Sequence, residues 1–209
     1  MTQNSKPFLI GITGGIGSGK SEVSKYLKSL GYPLIDADLV SREVVEPGEI
    51  GLFRIVESFG EGVLNPDRSL NRGKLAEIIF NNDILRKQLN DILHPQIRLR
   101  MQQHLECFKD ELFVFLDVPL LFETDKKSDY DEVILVYAPE ALCLERIVAR
   151  DKITTDLALK KIKAQMSIEI KRAMSDHVIV NNGDISMLHK QLDAYLKSVH
   201  ERLMHTRDQ

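Results

Sequence analysis

The feature that most constrains this chain is a glycine-rich stretch, GITGGIGSGKSEVSKYL, which runs from Gly11 to Leu27. Five of the nine residues from Gly11 to Gly19 are glycine. In regular structure a glycine costs about 0.5–1 kcal/mol relative to alanine, because it loses more conformational entropy on folding. The cluster therefore indicates a role that only bare backbone can fill.

The segments on either side of these glycines predict a strand and a helix. Pro7–Gly14 is a short apolar run with branched residues, which favours a buried strand. The apolar residues that follow the glycines recur at helical spacing: Val23, Tyr26, Leu27 and Leu30. Gly31 predicts the end of this helix.

Between the strand and the helix, Gly14–Ser21 fits the pattern G-x-x-x-x-G-K-[ST]. In such a loop successive backbone N–H groups converge on phosphate oxygens, at a helix N-terminus that favours an anion. Lys20 would add positive charge at the β- and γ-phosphates, and the Ser21 hydroxyl would bind Mg²⁺. The stretch therefore predicts a nucleotide phosphate site.

Four further segments predict the rest of a sheet: Pro33–Asp38, Glu111–Pro119, Asp131–Pro139 and Asp176–Gly183. The third and fourth strands are continuously apolar, which suits a parallel sheet covered on both faces. With helical patterns between the strands, the alternation predicts a doubly wound α/β layer.

The segment between the second and third strands is predicted to be almost wholly helical. It is longer than a simple connection between two parallel strands requires. Three apolar stripes carry this prediction: Leu52, Ile55, Val56 and Phe59; Leu75, Ile78 and Ile79; and Ile97, Met101, Leu105 and Phe108. We expect Asn71 to cap the second helix and Pro95 to open the third. Part of this region should form a helical subdomain.

Composition excludes several classes of protein. The 209 residues carry a net charge of −3, which argues against bulk nucleic-acid binding. Apolar runs are too short to span a bilayer, and the first residues lack the apolar core of a signal peptide. Cys107 and Cys143 have no metal-ligand spacing, so we expect buried thiols in a reducing, cytoplasmic compartment.

Positive charge is concentrated between Arg146 and Arg172, where eight basic and three acidic residues occur. Arg146 and Arg150 lie four apart and share a helix face. A basic helical excursion that returns to the sheet at Asp176 predicts a lid over a triphosphate, with Lys171 and Arg172 as further candidate cations. Charged helix faces are also common as plain solvated surface.

Three carboxylates are candidates for catalysis and metal binding. Asp36 and Asp38 follow a strand at a spacing of two, which would point both the same way along a pleat. We assign Asp38 as the base and Asp36 as the residue nearer the metal. The alternative is that one of the two only caps the next helix. Asp117 ends the third strand, where a carboxylate reaches Mg²⁺-bound water or serves as a cap.

His94 lies in the predicted helical subdomain with Arg98 one turn further on, so both are candidates to contact an acceptor substrate. A metal role for His94 is disfavoured because no second ligand stands at a suitable spacing.

Six motifs in a fixed order carry a family resemblance: LIGITGGIGSGKS, IDAD, VVEPG, LHP, DVPLLFE and VIVNNG. In this set the chain resembles the dephospho-coenzyme A kinase family over nearly its whole length. The resemblance implies an α/β P-loop kinase three-layer fold, with a five-stranded parallel sheet flanked by helices, an inserted helical acceptor-binding domain and a lid. It also implies transfer of the ATP γ-phosphoryl to the ribose 3′-hydroxyl of dephospho-coenzyme A.

The same resemblance assigns site residues. The ATP-binding residues are Gly15, Ile16, Gly17, Ser18, Gly19, Lys20, Ser21 and Glu22. Asp38 matches the acidic residue beside the acceptor hydroxyl. Lys20, in the glycine-rich loop, and Arg146, at the lid end, are the further catalytic residues, and both are expected to act on phosphate. His94, Leu120 and Phe122 belong to stretches that line the acceptor side. Glu22 replaces a common threonine, and Met174 replaces a frequent basic residue, which leaves open which lid cation meets the phosphoryl group.

The resulting domain prediction is a core of about 7–60, 111–145 and 176–209, a helical subdomain of about 61–110 and a lid of about 146–175. ATP and Mg²⁺ are the expected cofactors, and dephospho-coenzyme A is the expected partner. No nucleic acid, no membrane and a monomer or small homo-oligomer are also expected.

Two other functions stay open from the residues alone: a nucleotide-binding regulatory module and a nucleoside monophosphate kinase. A regulatory GTPase is disfavoured, because NNGD at Asn181–Asp184 lacks the lysine of a guanine-binding motif.

Overall fold

A computed structural model of the chain describes residues 6–124 and 127–207. Five strands occur in the described residues: β1 (Phe8–Gly14), β2 (Leu34–Asp36), β3 (Phe113–Asp117), β4 (Glu132–Tyr137) and β5 (His177–Val180). Each lies inside a segment for which the sequence predicts a strand.

Nine α-helices occur in the same residues. They are α1 (Lys20–Ser29), α2 (Ala37–Glu43), α3 (Ile50–Phe59), α4 (Arg72–Ile79), α5 (Asp83–Glu106), α6 (Glu140–Asp151), α7 (Thr155–Lys163), α8 (Ile168–Met174) and α9 (Ile185–Arg207). Two short 3₁₀ helices cover Glu61–Val63 and Lys127–Asp129.

The strands form one sheet in the order β2-β3-β1-β4-β5. The glycine-rich strand β1 is central and pairs in parallel with β3 and β4. Its register places Ile12 opposite Asp117, and β5 continues the sheet parallel to β4. The predicted five-stranded parallel sheet flanked by helices is confirmed, and it brings the carboxyl ends of these strands to one edge.

The sheet is held by apolar packing against α1 and α9. One face of the sheet carries apolar side chains from several strands, among them Ile12, Phe115 and Ile134. These side chains are fully buried in one cluster with Leu27 and Leu192. A second cluster of Leu121, Phe122 and Val133 packs with Met166 and Met174. Burial of this kind contributes about 25 cal/mol per Å² of apolar surface.

The chain divides into two compact units. Residues Ile35–Cys107 form one, here called the helical unit, and the described residues before and after it form the other, here called the sheet unit. The helical unit contains α2–α5 around a core that includes Val44, Ile55 and Val63. It begins at Ile35, well before the predicted subdomain boundary of about 61.

Two predictions about local structure are wrong. The second strand ends at Asp36, because the Asp36 side chain caps a helix that already contains Ala37 and Asp38. Pro95 does not open a helix but lies within α5, which begins after Asn82; the Asn82 side chain accepts a hydrogen bond from the Leu85 N–H. Asn71 does cap α4, as predicted.

The two cysteines differ in exposure. Cys143 is buried in α6, and burial raises the pKa of its thiol. Cys107 is exposed, so the prediction of two buried thiols is wrong for that residue. Neither is in a disulfide.

Candidate active site

The loop between β1 and α1 forms a cradle of backbone N–H groups, here called the phosphate cradle and comprising residues 14–21. The Ser18 N–H donates to the Gly15 carbonyl at 3.0 Å, which closes the turn. Within the described residues, the N–H groups of Gly17, Gly19, Lys20 and Ser21 have no protein acceptor. Unpaired N–H groups at a helix N-terminus are the groups that bind phosphate.

Two cradle positions require glycine. Gly17 has a φ of +80°, and a Cβ there would lie 2.8 Å from the Cys143 carbonyl oxygen. Gly19 has a φ of +91°, and a Cβ there would overlap the Asn181 side-chain nitrogen. Left-handed backbone in close contact with neighbouring elements explains why the sequence concentrates glycine here.

Lys20 at the start of α1 pairs with Asp117 at the end of β3. Its ammonium donates to Asp117 Oδ1, while the Ser24 hydroxyl donates to Oδ2 at 2.5 Å. The Asp117 residue is only 4% exposed. Asp117 therefore orients the lysine of the cradle rather than capping a helix.

Side chains from other elements hold the carbonyl side of the cradle. Asn181, after β5, donates from Nδ2 to the Ser18 carbonyl at 2.8 Å. Arg146 on α6 donates to the Gly17 carbonyl at 3.4 Å. Asn181 is a residue that sequence reasoning missed; its position directly after a strand, at the carboxyl edge of the sheet, was the available signal.

The predicted lid cations have distinct environments. Lys171 on α8 is fully buried, and its Nζ lies 2.7 Å from Glu123 Oε1. This contact is ionic, because Nζ has no aligned hydrogen-bond acceptor within the described residues. Arg172 stacks over the Tyr137 ring at 4.9 Å, and Arg150 pairs with Asp151. Of these four cations, Arg146 is the one that hydrogen-bonds to the phosphate cradle within residues 6–124 and 127–207.

The turn between α7 and α8 also contacts the cradle. The Gln165 side-chain oxygen accepts the Ile16 N–H at 2.9 Å. The next residue, Met166, donates its N–H to Glu123 Oε1 at 3.1 Å. Two adjacent residues of this turn are therefore fixed to segments that follow β1 and β3.

The predicted pair of aspartates lies in the helical unit and is not a pleated pair. Asp36 Oδ1 accepts the N–H groups of Asp38 at 2.9 Å and Leu39 at 3.2 Å, so this carboxylate caps α2. Asp38 lies in the first turn of α2 and is exposed. Its carboxylate has no protein partner among the residues that the structure describes, which leaves it free to meet a ligand.

Ion pairs join the helix that carries Asp38 to the long helix α5. Arg100 lies 2.7 Å from Glu49 and 3.5 Å from Glu43, and His104 lies 2.8 Å from Glu43. The Glu49 hydrogen bond raises the pKa of Arg100 above its ordinary value. These contacts fix α2 within the helical unit.

The predicted acceptor residues differ in accessibility. On α5, His94 and Arg98 are exposed and one turn apart, so they share a face of the helix. In the sheet unit Leu120 is 45% exposed, whereas Phe122 is 4% exposed and packs in the core. Phe122 therefore supports the segment from within.

The oxygen donors near the cradle fit Mg²⁺. No group of three or more metal-ligating side chains occurs in the described residues. Mg²⁺ in kinase sites keeps several waters and takes one or two protein oxygens together with substrate phosphates. The exposed Ser21 hydroxyl and the Asp117 carboxylate are hard oxygen donors of this kind, on the two elements that meet at Lys20.

None of the helices described in the structure is long and apolar enough to cross a membrane.

Comparison with known proteins identifies the family. A family model described as Dephospho-CoA kinase matches residues 8–187. A dephospho-CoA kinase of Shouchella clausii is 44% identical over 195 residues, covering 92% of this chain and 99% of that protein. One from Listeria monocytogenes is 41% identical over 190 residues, covering 90% and 95%.

Solved structures agree with these sequence relatives. A crystal structure from Thermus thermophilus has a TM-score of 0.79 at 34% identity and covers 93% of this chain and 98% of that one. Dephospho-CoA kinase from Campylobacter jejuni has a TM-score of 0.70 at 27% identity, covering 91% and 96%. Together with the glycine-rich cradle and its lysine, these matches establish that the chain belongs to the dephospho-CoA kinase family.

Proposed function

We propose that this protein is an ATP-dependent dephospho-coenzyme A kinase. It transfers the γ-phosphoryl group of ATP to the ribose 3′-hydroxyl of dephospho-coenzyme A and yields coenzyme A and ADP, the final step of coenzyme A biosynthesis. The observation that carries the proposal is the phosphate cradle with unpaired N–H groups and an oriented Lys20, in a chain of this family.

The residues of the cradle bind the polyphosphate. The unpaired backbone N–H groups of Gly17, Gly19, Lys20 and Ser21 hold the α- and β-phosphates, with Gly15, Ile16 and Glu22 at the margins of the loop. Lys20 neutralises charge that develops between the β- and γ-phosphates as the bond to the leaving ADP oxygen breaks. Asp117 keeps the lysine side chain directed into the cradle.

Asp38 is the proposed base for the acceptor. The ribose 3′-oxygen forms a new bond to the γ-phosphorus, ADP leaves with the bridging oxygen, and the hydroxyl proton passes to the Asp38 carboxylate. Asp38 suits this role because its carboxylate has no protein partner in the described residues, whereas Asp36 Oδ1 is occupied by the cap of α2.

Ser21 and Asp117 are the proposed protein ligands of Mg²⁺, directly or through water, with Asp36 as a further candidate. Bound Mg²⁺ supplies charge neutralisation at the phosphate oxygens. Arg146, already in contact with the Gly17 carbonyl, adds a cation at the edge of the cradle.

Acceptor binding is assigned to exposed groups. His94 and Arg98 offer a polar and a cationic side chain on one face of α5, which suits the phosphate groups of a coenzyme A precursor. Leu120 offers an apolar contact, and Phe122 holds the Leu120 segment in place.

A coupled ADP-release assay tests the proposal, with dephospho-coenzyme A, adenosine and AMP offered separately as acceptors in the presence of Mg²⁺ and ATP. We expect rapid turnover with dephospho-coenzyme A and at least about a hundredfold lower kcat/KM with the other two, because the remote contacts of the larger acceptor contribute to transition-state binding.

Equal turnover on all three acceptors would refute the acceptor assignment. ADP release that is independent of any acceptor would indicate a regulatory ATPase, and activity confined to AMP would indicate a nucleoside monophosphate kinase.

A further inference from the structure

The Gln165 side chain lies where the turn between α7 and α8 meets the phosphate cradle. Its oxygen accepts the Ile16 N–H at 2.9 Å, a contact between residues 149 positions apart in the chain. A Cβ on Gly15 would stand 3.4 Å from Ile168 Cδ1, so turn and cradle are in van der Waals contact on the same side.

The chemistry of this hydrogen bond fixes the orientation of the amide. A backbone N–H only donates, so the oxygen of the Gln165 amide faces Ile16 and the NH₂ group is turned away from it. Nε2 has no hydrogen-bond acceptor within residues 6–124 and 127–207. Two N–H donors beside the cradle are therefore available to a ligand.

The backbone of the turn is held firmly enough to make Gln165 a defined donor. Met166 donates its N–H to Glu123 Oε1 at 3.1 Å, and the same oxygen lies 2.7 Å from the fully buried Lys171 ammonium. The Gln165 N–H itself donates to the Ile162 carbonyl at 3.1 Å. Ordering the side chain on a fixed turn lowers the entropic cost of binding.

A cavity of about 240 Å³ adjoins this contact. Gly15 and Ile16 of the cradle line it together with Gln165, and Lys163 and Glu140 also face it. Ligand groups of several atoms can therefore approach the Gln165 amide.

We propose that Gln165 is a nucleotide-binding residue that donates a hydrogen bond from its amide nitrogen to the γ-phosphate of ATP. This inference rests on the proposed ATP site. The loop's own N–H groups surround the α- and β-phosphates, so a donor that arrives from another segment meets the terminal phosphate. A hydrogen bond to a charged phosphate oxygen is about twice as strong as one between neutral groups.

Isothermal titration calorimetry of the full chain with Mg²⁺ tests this, with ATP and ADP titrated separately and no acceptor present. For Gln165→Ala we expect the Kd of ATP to rise about tenfold and the Kd of ADP to change less than about twofold, since only ATP carries the γ-phosphate. The exposed Gln88 on α5, changed to alanine, is the matched control and should leave both values unchanged.

Gln165→Glu separates a ligand contact from a merely structural contact. The carboxylate keeps an acceptor for the Ile16 N–H but loses the donor and adds repulsion, so ATP should bind more weakly than to Gln165→Ala. Wild-type ATP affinity in the glutamate variant, or equal losses for ATP and ADP in the alanine variant, would overturn the inference. Failure of the wild-type protein to bind ATP would instead overturn the proposed function.

Discussion

The phosphate cradle and the helical unit hold their candidate functional groups in opposite ways. In the cradle, Lys20 is tied to a buried Asp117, and Asn181 and Arg146 hold the backbone carbonyls of Ser18 and Gly17. In the helical unit, the Asp38, His94 and Arg98 side chains are exposed. The cradle groups are held in place by protein contacts before a ligand binds. The candidate groups of the helical unit are exposed to solvent, where a ligand can reach them.

This difference suits the ligands that we propose for the two regions. A phosphate chain is small and invariant, so preorganised N–H groups and one lysine recognise it at no reorganisation cost. For the proposed acceptor, which has a flexible arm, we expect recognition by side chains that adjust when it binds. Substitutions in the cradle should therefore change catalysis strongly, and those in the helical unit should separate into chemical, binding and structural effects.

The largest effect is expected for Lys20→Met. Loss of the cradle cation removes charge stabilisation in the transition state, so kcat in the coupled assay should fall by about 10³-fold. Lys25→Met on the exposed side of α1 is the control and should be nearly silent. A Lys20 variant that keeps more than a tenth of wild-type kcat would show that the built-in geometry of the cradle is not needed for the chemistry.

Asp38→Asn should have the next largest effect and would distinguish a chemical role from a binding role in the helical unit. Without a proton acceptor, kcat should fall by about 10²-fold while the ATP affinity measured by calorimetry stays within about twofold. The exposed Asp91→Asn on α5 serves as the control. Retained turnover would move the role of base to Asp36 or to water.

Substitution of the α5 pair should affect acceptor binding alone. For His94→Ala and Arg98→Ala we expect KM for dephospho-coenzyme A to rise about tenfold, with KM for ATP unchanged, because a charge-assisted hydrogen bond is worth about 1.5–3 kcal/mol. Lys87→Ala, exposed on the same helix, should leave both constants unchanged. An equal rise in both KM values would contradict the assignment to the acceptor.

The smallest effect concerns Asp36, whose carboxylate caps α2. Asp36→Ala should destabilise the protein by about 1 kcal/mol, which corresponds to a fall in Tm of about 2–4 °C for a chain of this size. Asp36→Asn keeps a capping oxygen and should restore most of the loss. If asparagine rescues Tm but the Mg²⁺ concentration for half-maximal activity rises several-fold, Asp36 also has the metal role that the sequence predicts.

The sequence predicts the cradle well because its determinants are local. The order of strand, glycines, Lys20 and helix lies within one short segment, and the positive φ values of Gly17 and Gly19 explain two of its glycines. The strand segments were also predictable, because buried parallel strands are continuously apolar.

The features that the sequence did not predict correctly have two causes. Some depend on competition between local signals, and others depend on contacts with residues far away in the chain. The sequence predicts a strand as far as Asp38, but the Asp36 side chain caps a helix, so the strand stops at Asp36. Pro95 lies inside α5 because the cap at Asn82 and packing of the helix against its neighbours outweigh a missing N–H, which costs about 3 kcal/mol in a helix interior. Asn181 and Gln165 contact cradle residues that lie 163 and 149 positions away in the chain. The position of Asn181 directly after a strand was a local signal, but no local pattern indicated the contact of Gln165.

The most direct test of the central claim is the identity of the phosphorylated product. The protein is incubated with Mg²⁺, ATP and dephospho-coenzyme A, and ³¹P NMR follows the fate of the γ-phosphoryl group. We predict a new phosphomonoester signal coupled to the ribose 3′ position that grows in equal amount with ADP. Release of the γ-group as inorganic phosphate, or its appearance on any other hydroxyl, would contradict the account.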